Sequence, residues 1–187
     1  PRETWDRLRE FAQASTMFVE LGMRDITAAN LARHIELAQI VGARFIRAVA
    51  GAPSAFPEED QDRLVDQVVR ALEELLPTLE ESGIVLGLEN HYDLETDKLI
   101  SIAEHFSSES IGLVFDTTNA LGFVEPPEQT LAKMLPFVRS VHVKDYVVEK
   151  VEAGYLIRGR SLGEGLLDCP KLLDMVLEQR PDASLIV

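Results

Sequence analysis

An α/β fold built on a parallel sheet is the class this chain predicts, and three observations point to it. Short runs rich in Val, Ile and Leu alternate with stretches of helical apolar spacing. Each run is joined to the next through a helical stretch, the pattern of βαβ units. Three successive runs also close in groups able to bind a metal. Ile84 to Leu88 closes in Glu89-Asn90-His91, and Ile111 to Phe115 closes in Asp116-Thr117-Thr118-Asn119. Ser140 to Val143 contains His142 and closes in Lys144-Asp145-Tyr146. In parallel α/β folds the chemistry collects at the carboxyl ends of the strands.

Taken in order, Glu3 to Ala14 is expected as an amphipathic helix, with Trp5, Leu8, Phe11 and Ala12 at helical spacing. Thr16 to Leu21 is expected as a strand and Gly22 to Asp25 as a loop. Thr27 suits an N-cap for a helix through Val41, which Gly42 stops. Ala43 to Val49 is the next strand, followed by a Gly/Pro-rich loop from Gly51 to Pro57. Glu58 to Glu81 reads as a long helix that Pro77 should kink or end. Thr96 is the expected cap of a helix over Asp97 to Phe106. A loop containing Pro126 and Pro127 precedes a helix over Glu128 to Phe137, which Pro136 should end early. The Gly-containing stretch from Val147 to Leu166 reads as a functional loop over the site. Cys169 to Gln179 is a helix, and Ser184 to Val187 starts one more strand. Six strands result, and no linker divides residues 1–187, so a single domain is expected.

Bulk properties narrow the function. A chain of 187 residues is enough for one substantial core. The formal charge of −14 argues against a nucleic-acid partner, which needs clustered Lys and Arg. A small neutral or polar molecule suits the composition better. No run is long and apolar enough for a membrane span, and no secretory signal opens the chain. The one cysteine, Cys169, allows no intrachain disulfide and is compatible with a reducing cytoplasm, the expected location. A homo-oligomer stays open.

Two architectures compete, an open doubly wound sheet and a closed eight-stranded barrel. The nucleotide-binding open sheet carries a Gly-rich turn after its first strand, and none follows Phe18 to Glu20. A barrel of this kind takes about 250 residues, so a barrel reading makes this chain a partial one.

Glu89, Asp116 and His142 are the candidate metal ligands. If Val141 and Val143 face the helices, Ser140, His142 and Lys144 face the barrel interior. Carboxylates with an imidazole suit Mn, Mg, Co, Zn or Fe, without choosing among them. Each residue alone has a plainer reading: a helix cap, an Asx-turn, or a hydrogen-bonded core histidine. Three ligand types on three successive strand ends favour a site. Asn90, His91 and Asn119 follow the carboxylates and are candidate substrate contacts, as are Lys144, Arg47 and Arg158. Glu20, near the end of its expected strand, could enter the same mouth, and Arg160 and Glu164 lie in the Gly-containing stretch. His34 and His105 fall inside helices, away from the chemistry.

At Gly87-Leu88-Glu89-Asn90-His91, Phe115-Asp116-Thr117-Thr118-Asn119, Val141-His142-Val143-Lys144-Asp145 and Gly163-Glu164-Gly165 the chain resembles the xylose isomerase-like superfamily of TIM barrels. That group includes sugar isomerases and epimerases, inosose dehydratase and endonuclease IV. The resemblance implies a (β/α)8 TIM barrel present only in part, with the six strands as the third to the eighth. It implies one divalent metal held by a Glu, an Asp, a His and a second Glu. Glu89, Asp116 and His142 match the first three, and the second Glu is expected at or soon after Val187. The implied activity is that of a sugar isomerase or epimerase, with Glu89 as both ligand and acid/base in proton transfer next to a carbonyl, through an ene-diolate. The piece by itself is not expected to be active. Asn119 stands where some members carry a substrate-contacting His. The alternatives are a metal-dependent dehydratase or lyase of a cyclic polyol and a non-catalytic sugar-binding barrel. An endonuclease would want a His-rich site, and the chain has four histidines.

Overall fold

A computed structural model describes residues 2–51 and 59–187. Among them, six parallel strands form one sheet in the order β1-β2-β3-β4-β5-β8, an arc of a TIM barrel with helices on its outer face. The strands are β1 (Glu20–Arg24), β2 (Phe45–Val49), β3 (Val85–Glu89), β4 (Ile111–Asp116), β5 (Val138–His142) and β8 (Ser184–Ile186). The helices are α1 (Arg2–Ala14), α2 (Ala28–Val41), α3 (Glu59–Ser82), α4 (Thr96–Phe106), α5 (Pro127–Met134) and α6 (Cys169–Gln179). An antiparallel hairpin of β6 (Asp145–Val151) and β7 (Gly154–Arg160) stands apart between β5 and α6.

The alternation expected of β strands sorts their residues to two faces. Ile46, Ala48, Leu86, Leu88, Leu113, Phe115, Val141 and Val143 face outward and form one core with Leu31, Ile35, Leu72, Leu79, Leu99, Leu131 and Val176 of the helices. Phe45, Arg47, Gly87, Glu89 and Val114 meet on the inner face. Gly87 is required there by close approach. A Cβ at this position would stand 2.5 Å from Phe45 Cζ and 2.7 Å from Val114 Cγ2.

Local signals explain most element ends. Thr27 caps α2 by accepting the Asn30 N–H at 3.2 Å, and Gly42 closes it in the left-handed region at φ +76°. Pro127 occupies the first turn of α5, where a missing N–H costs nothing. Pro136 ends α5 as expected, and Leu135–Phe137 continue as a short 3₁₀ turn.

Several expectations change. The first strand is Glu20–Arg24, so the expected loop at Gly22–Asp25 is strand through Arg24. Parallel pairing with β2, from Glu20 on Phe45 to Arg24 on Val49, outweighs the weak strand preference of Gly22. Thr96 does not cap α4. Glu95 holds that position without a side-chain bond, and the Thr96 hydroxyl donates to Glu125 instead. Pro77 does not end α3, which runs on to Ser82 and buries Leu79 completely. Most of the stretch expected as a loop, Val147 to Leu166, is the β6–β7 hairpin with a two-residue turn at Glu152-Ala153. The expected loop at Gly51 to Pro57 lies outside the described residues except for Gly51.

Candidate metal centre

Glu89, Asp116 and His142 are the last residues of β3, β4 and β5. These strands are neighbours, and Asp116 pairs directly with His142 in the ladder. One donor atom from each of the three lies within 4.8 Å of the others. Donors bound to one ion at about 2.0–2.2 Å stand at most about 4.4 Å apart, so small side-chain adjustments close the cluster on an ion. The donor set of two carboxylates and one imidazole fits a divalent cation. Glu89 Oε2 and His142 Nε2 are buried and have no hydrogen-bond partner among the described residues. Buried polar atoms without partners are costly, so the pocket has polar capacity to spare.

Asp116 is 0% exposed and firmly oriented. Its Oδ1 accepts the Thr118 N–H and the Thr118 hydroxyl, each at 2.9 Å, an Asx-turn. Its Oδ2 meets the Lys144 ammonium. Thr117 links the same strand ends, since its hydroxyl donates to the Lys144 carbonyl at 2.7 Å and accepts the Lys144 N–H at 2.8 Å. The plain Asx-turn reading and the ligand reading of Asp116 are therefore compatible, because the turn engages Oδ1 and Oδ2 points to Lys144.

Glu89 is held on three sides. Arg47 Nη1 lies 3.2 Å from its Oε2, the Asn119 amide donates to its Oε1 at 3.3 Å, and His142 Nδ1 lies 3.4 Å from that oxygen. Burial pushes the Glu89 carboxyl up, but His142 and Arg47 outweigh it and leave it below its ordinary value. Glu89 is thus an ionised carboxylate at neutral pH. His142 is pushed up to about 9 by Glu20 first and Glu89 second, against its burial. In the metal-free protein the centre therefore carries a cationic imidazole between two carboxylates.

The remaining candidates divide. Arg47, Asn119 and Lys144 reach the cluster directly. Asn90 spends both ends of its amide on the Asp116 backbone and is 3% exposed, so it braces Asp116 instead of meeting solvent in the mouth. His91 packs edge-on against Tyr92, with ring centroids 5.0 Å apart, and burial lowers its pKa. Arg158 pairs with Glu149 across the hairpin at 3.5 Å. A cavity of about 610 Å³ begins at Lys144, and among the described residues Arg160, not Arg158, lines it together with Tyr92, Thr118, Tyr146 and Ile157. Residues 158 and 160 share a face of β7, and Arg160 also pairs with Glu149 at 3.5 Å while reaching the cavity that Arg158 does not line. Tyr92 was open to discovery from sequence, as an aromatic three residues past Glu89 at the end of β3. Gly122 makes room for it, since a Cβ there would overlap the Tyr92 ring.

Asp145 explains the Gly163-Glu164-Gly165 motif. Its carboxylate accepts the N–H groups of Gly163, Gly165, Leu167 and Tyr146 at 2.8–3.2 Å. Gly163 is in the left-handed region at φ +83°, and a Cβ on Gly165 would overlap the Asp145 carboxylate. The second glycine is needed for contact, the first for conformation.

Fold and site together define a barrel whose inner strand ends gather metal-type donors. The xylose isomerase-like TIM barrel family model matches residues 21–187, and the chain belongs to that family. It is 26% identical over 184 residues to 3-oxo-isoapionate decarboxylase of Pectobacterium atrosepticum, covering 97% of this chain and 65% of that protein. The chain thus spans less than two thirds of that relative. Its fold is similar to that of a D-psicose 3-epimerase crystallised with D-fructose, at TM-score 0.77 and 12% identity, covering 100% of this chain and 69% of the other. It is also similar to the IOLI protein with a bound zinc atom, at TM-score 0.72 and 17% identity, covering 98% and 72%. Among the described residues, no helix is long and apolar enough to cross a membrane.

Proposed function

We propose that the complete protein is a divalent-metal-dependent isomerase or epimerase that moves a proton next to the carbonyl of a small polyhydroxylated substrate. The observation that carries this reading is the convergence of Glu89, Asp116 and His142 at three neighbouring strand ends. Glu89, Asp116 and His142 would hold the metal, which when bound would polarise the substrate carbonyl and stabilise the ene-diolate.

The chain's own groups fit their roles. Glu89 is ionised, and its Oε2 accepts no hydrogen bond beyond the Arg47 ion pair, so this carboxylate has room to take a substrate proton. Arg47 keeps that carboxylate charged and fixed. Asn119 holds Oε1 and so sets the plane of the carboxylate. Lys144 stands at the junction of the cluster and the cavity, placed to meet a substrate oxygen. Tyr92 offers an aromatic face for sugar C–H groups in the same cavity. The D-psicose 3-epimerase of similar fold, crystallised in the presence of D-fructose, supports the reaction type.

A second reading has its own support. The relative matched over 97% of this chain is a decarboxylase of a 3-oxo sugar acid. Loss of carbon dioxide from a 3-oxo acid leaves the same kind of enolate, so the same centre would serve.

One experiment separates them. The complete protein, loaded with Mn²⁺, is incubated in D2O with a panel of ketoses, aldoses and 3-oxo sugar acids. Deuterium incorporation beside the carbonyl of a ketose or aldose supports the isomerase reading. Carbon dioxide release without exchange of the neutral sugars transfers the assignment to decarboxylation. Elemental analysis is run alongside on wild type and Asp116→Ala, after adding metal back. About one metal per chain, lost in the variant, is expected; stoichiometric metal in the variant would overturn the ligand assignment.

A further inference from the structure

One carboxylate has entered so far only through its effect on the charge of His142. Glu20 opens β1, at the sheet edge, with three strands between it and β5 in the sheet order. The curvature of the sheet nevertheless carries it across the interior to His142. Glu20 Oε1 lies 3.6 Å from His142 Nε2, and both side chains are largely buried. That separation exceeds a hydrogen bond by a few tenths of an ångström. Neither His142 Nε2 nor Glu20 Oε2 has a hydrogen-bond partner among the described residues. The unpartnered Nε2 faces Glu20 Oε1, and a small shift of that carboxylate closes the hydrogen bond.

The opposite ring nitrogen faces the metal-type donors, with His142 Nδ1 lying 3.4 Å from Glu89 Oε1. A neutral imidazole offers a lone pair on one nitrogen only, and the other nitrogen carries the hydrogen. A carboxylate opposite Nε2 draws the hydrogen there and leaves the Nδ1 lone pair toward Glu89. Such partners orient a ligating histidine and raise its basicity.

We propose that Glu20 is the positioning residue of His142, accepting its Nε2–H so that Nδ1 is presented to the metal beside Glu89 and Asp116. The proposal rests on the metal-centre reading above. Glu20 touches neither metal nor substrate in this arrangement and acts through the imidazole alone.

The complete protein is stripped of metal and titrated with Zn²⁺ against a competing chelator, as wild type, Glu20→Gln, Glu20→Leu and Asp116→Ala. Long-range ¹H–¹⁵N spectra of the zinc-loaded proteins report which His142 nitrogen carries the hydrogen. Glu20→Leu should weaken zinc binding about 10- to 100-fold, and Glu20→Gln should lose less because its amide oxygen still accepts. In wild type the hydrogen should be on Nε2, and in Glu20→Leu that preference should fade. Zinc affinity and the Nε2–H signature unchanged in both Glu20 variants would overturn the proposal. Should Glu20→Leu fail to fold by circular dichroism, Glu20→Ala, which also removes the acceptor, carries the test by the same two readouts, and unchanged zinc affinity and Nε2–H signature in it would overturn the proposal. Undiminished zinc binding by Asp116→Ala would instead overturn the centre itself, a distinct failure.

Discussion

The side-chain amide of Asn90 pairs with the backbone of Asp116 as one strand pairs with the next. Asn90 Oδ1 accepts the Asp116 N–H at 2.6 Å, and Asn90 Nδ2 donates to the Asp116 carbonyl at 3.2 Å. The β3–β4 ladder is thereby extended past Glu89, and the two carboxylates are held at a fixed spacing. Asn90→Ala leaves a buried donor and a buried acceptor unpaired and should cost about 1–3 kcal/mol. Urea unfolding of the complete protein measures this. Asn90→Asp removes the donor and sets a carboxylate against the Asp116 carbonyl, so it should not restore stability.

His142 gives the centre a pH dependence. Its pKa near 9 exceeds the ordinary 6.5, so the imidazolium stabilises the metal-free fold fully below about pH 6.5. That contribution is lost as pH rises through about 9. Metal needs the neutral ring and must expel the proton. Apparent metal affinity should therefore rise about tenfold per pH unit up to that pKa. Calorimetry at pH 7 in two buffers of different ionisation enthalpy should show about one proton released per metal; no release would contradict the assignment.

Asp145 makes an acid-side contribution. Burial pushes its carboxyl up, but the N–H groups of Leu167, Gly165, Tyr146 and Gly163 outweigh that and hold it below the ordinary 3.8. Its stabilisation is present above the unfolded value and disappears as pH falls through the lowered folded value. Asp145→Asn should be less stable than wild type at pH 7 and at pH 5. The gap should shrink below about pH 4, as followed by urea unfolding across the range.

Gly87 tests the packing of the inner face. Gly87→Ala drives a methyl against Phe45 and Val114 and should cost about 1–3 kcal/mol by overpacking. Gly87→Ala with Phe45→Leu should recover part of that loss, because the second change removes ring atoms from the collision. Thermal unfolding of the single and double variants gives the comparison.

The metal-type cluster was legible because Glu89, Asp116 and His142 each sit on a buried strand whose apolar run is plain in the sequence. The helix α2 was legible for a similar reason, with Thr27 and Gly42 marking both ends. The roles of neighbouring polar groups were not. Asn90 looks like any polar loop residue until Asp116 is placed beside it by a contact 26 positions away. β1 buries only Met23 fully, so no apolar run marks it, and its pairing with β2 defines it. The hairpin was hidden by its glycines. Yet Tyr146-Val147-Val148 and Tyr155-Leu156-Ile157 are strong strand formers flanking a short turn, a signal that the sequence did carry. Pro77 shows the limit of a local rule, because the burial of Leu79 beyond it keeps α3 going.

The clasp at Asp145 has an evolutionary reading. One carboxylate gathers the outgoing backbone at Tyr146 and the returning backbone at Gly163, Gly165 and Leu167, while the strands between pair only with each other. The excursion is a detachable cassette, closed at its base and independent of the barrel's own ladder. Residues along it can be rewritten, lengthened or exchanged while the metal-type donors stay in register. Ile157 and Arg160, which wall the cavity, belong to that cassette. The wall of the cavity can thus change with a surface hairpin while Glu89, Asp116 and His142 keep their places on the barrel strands.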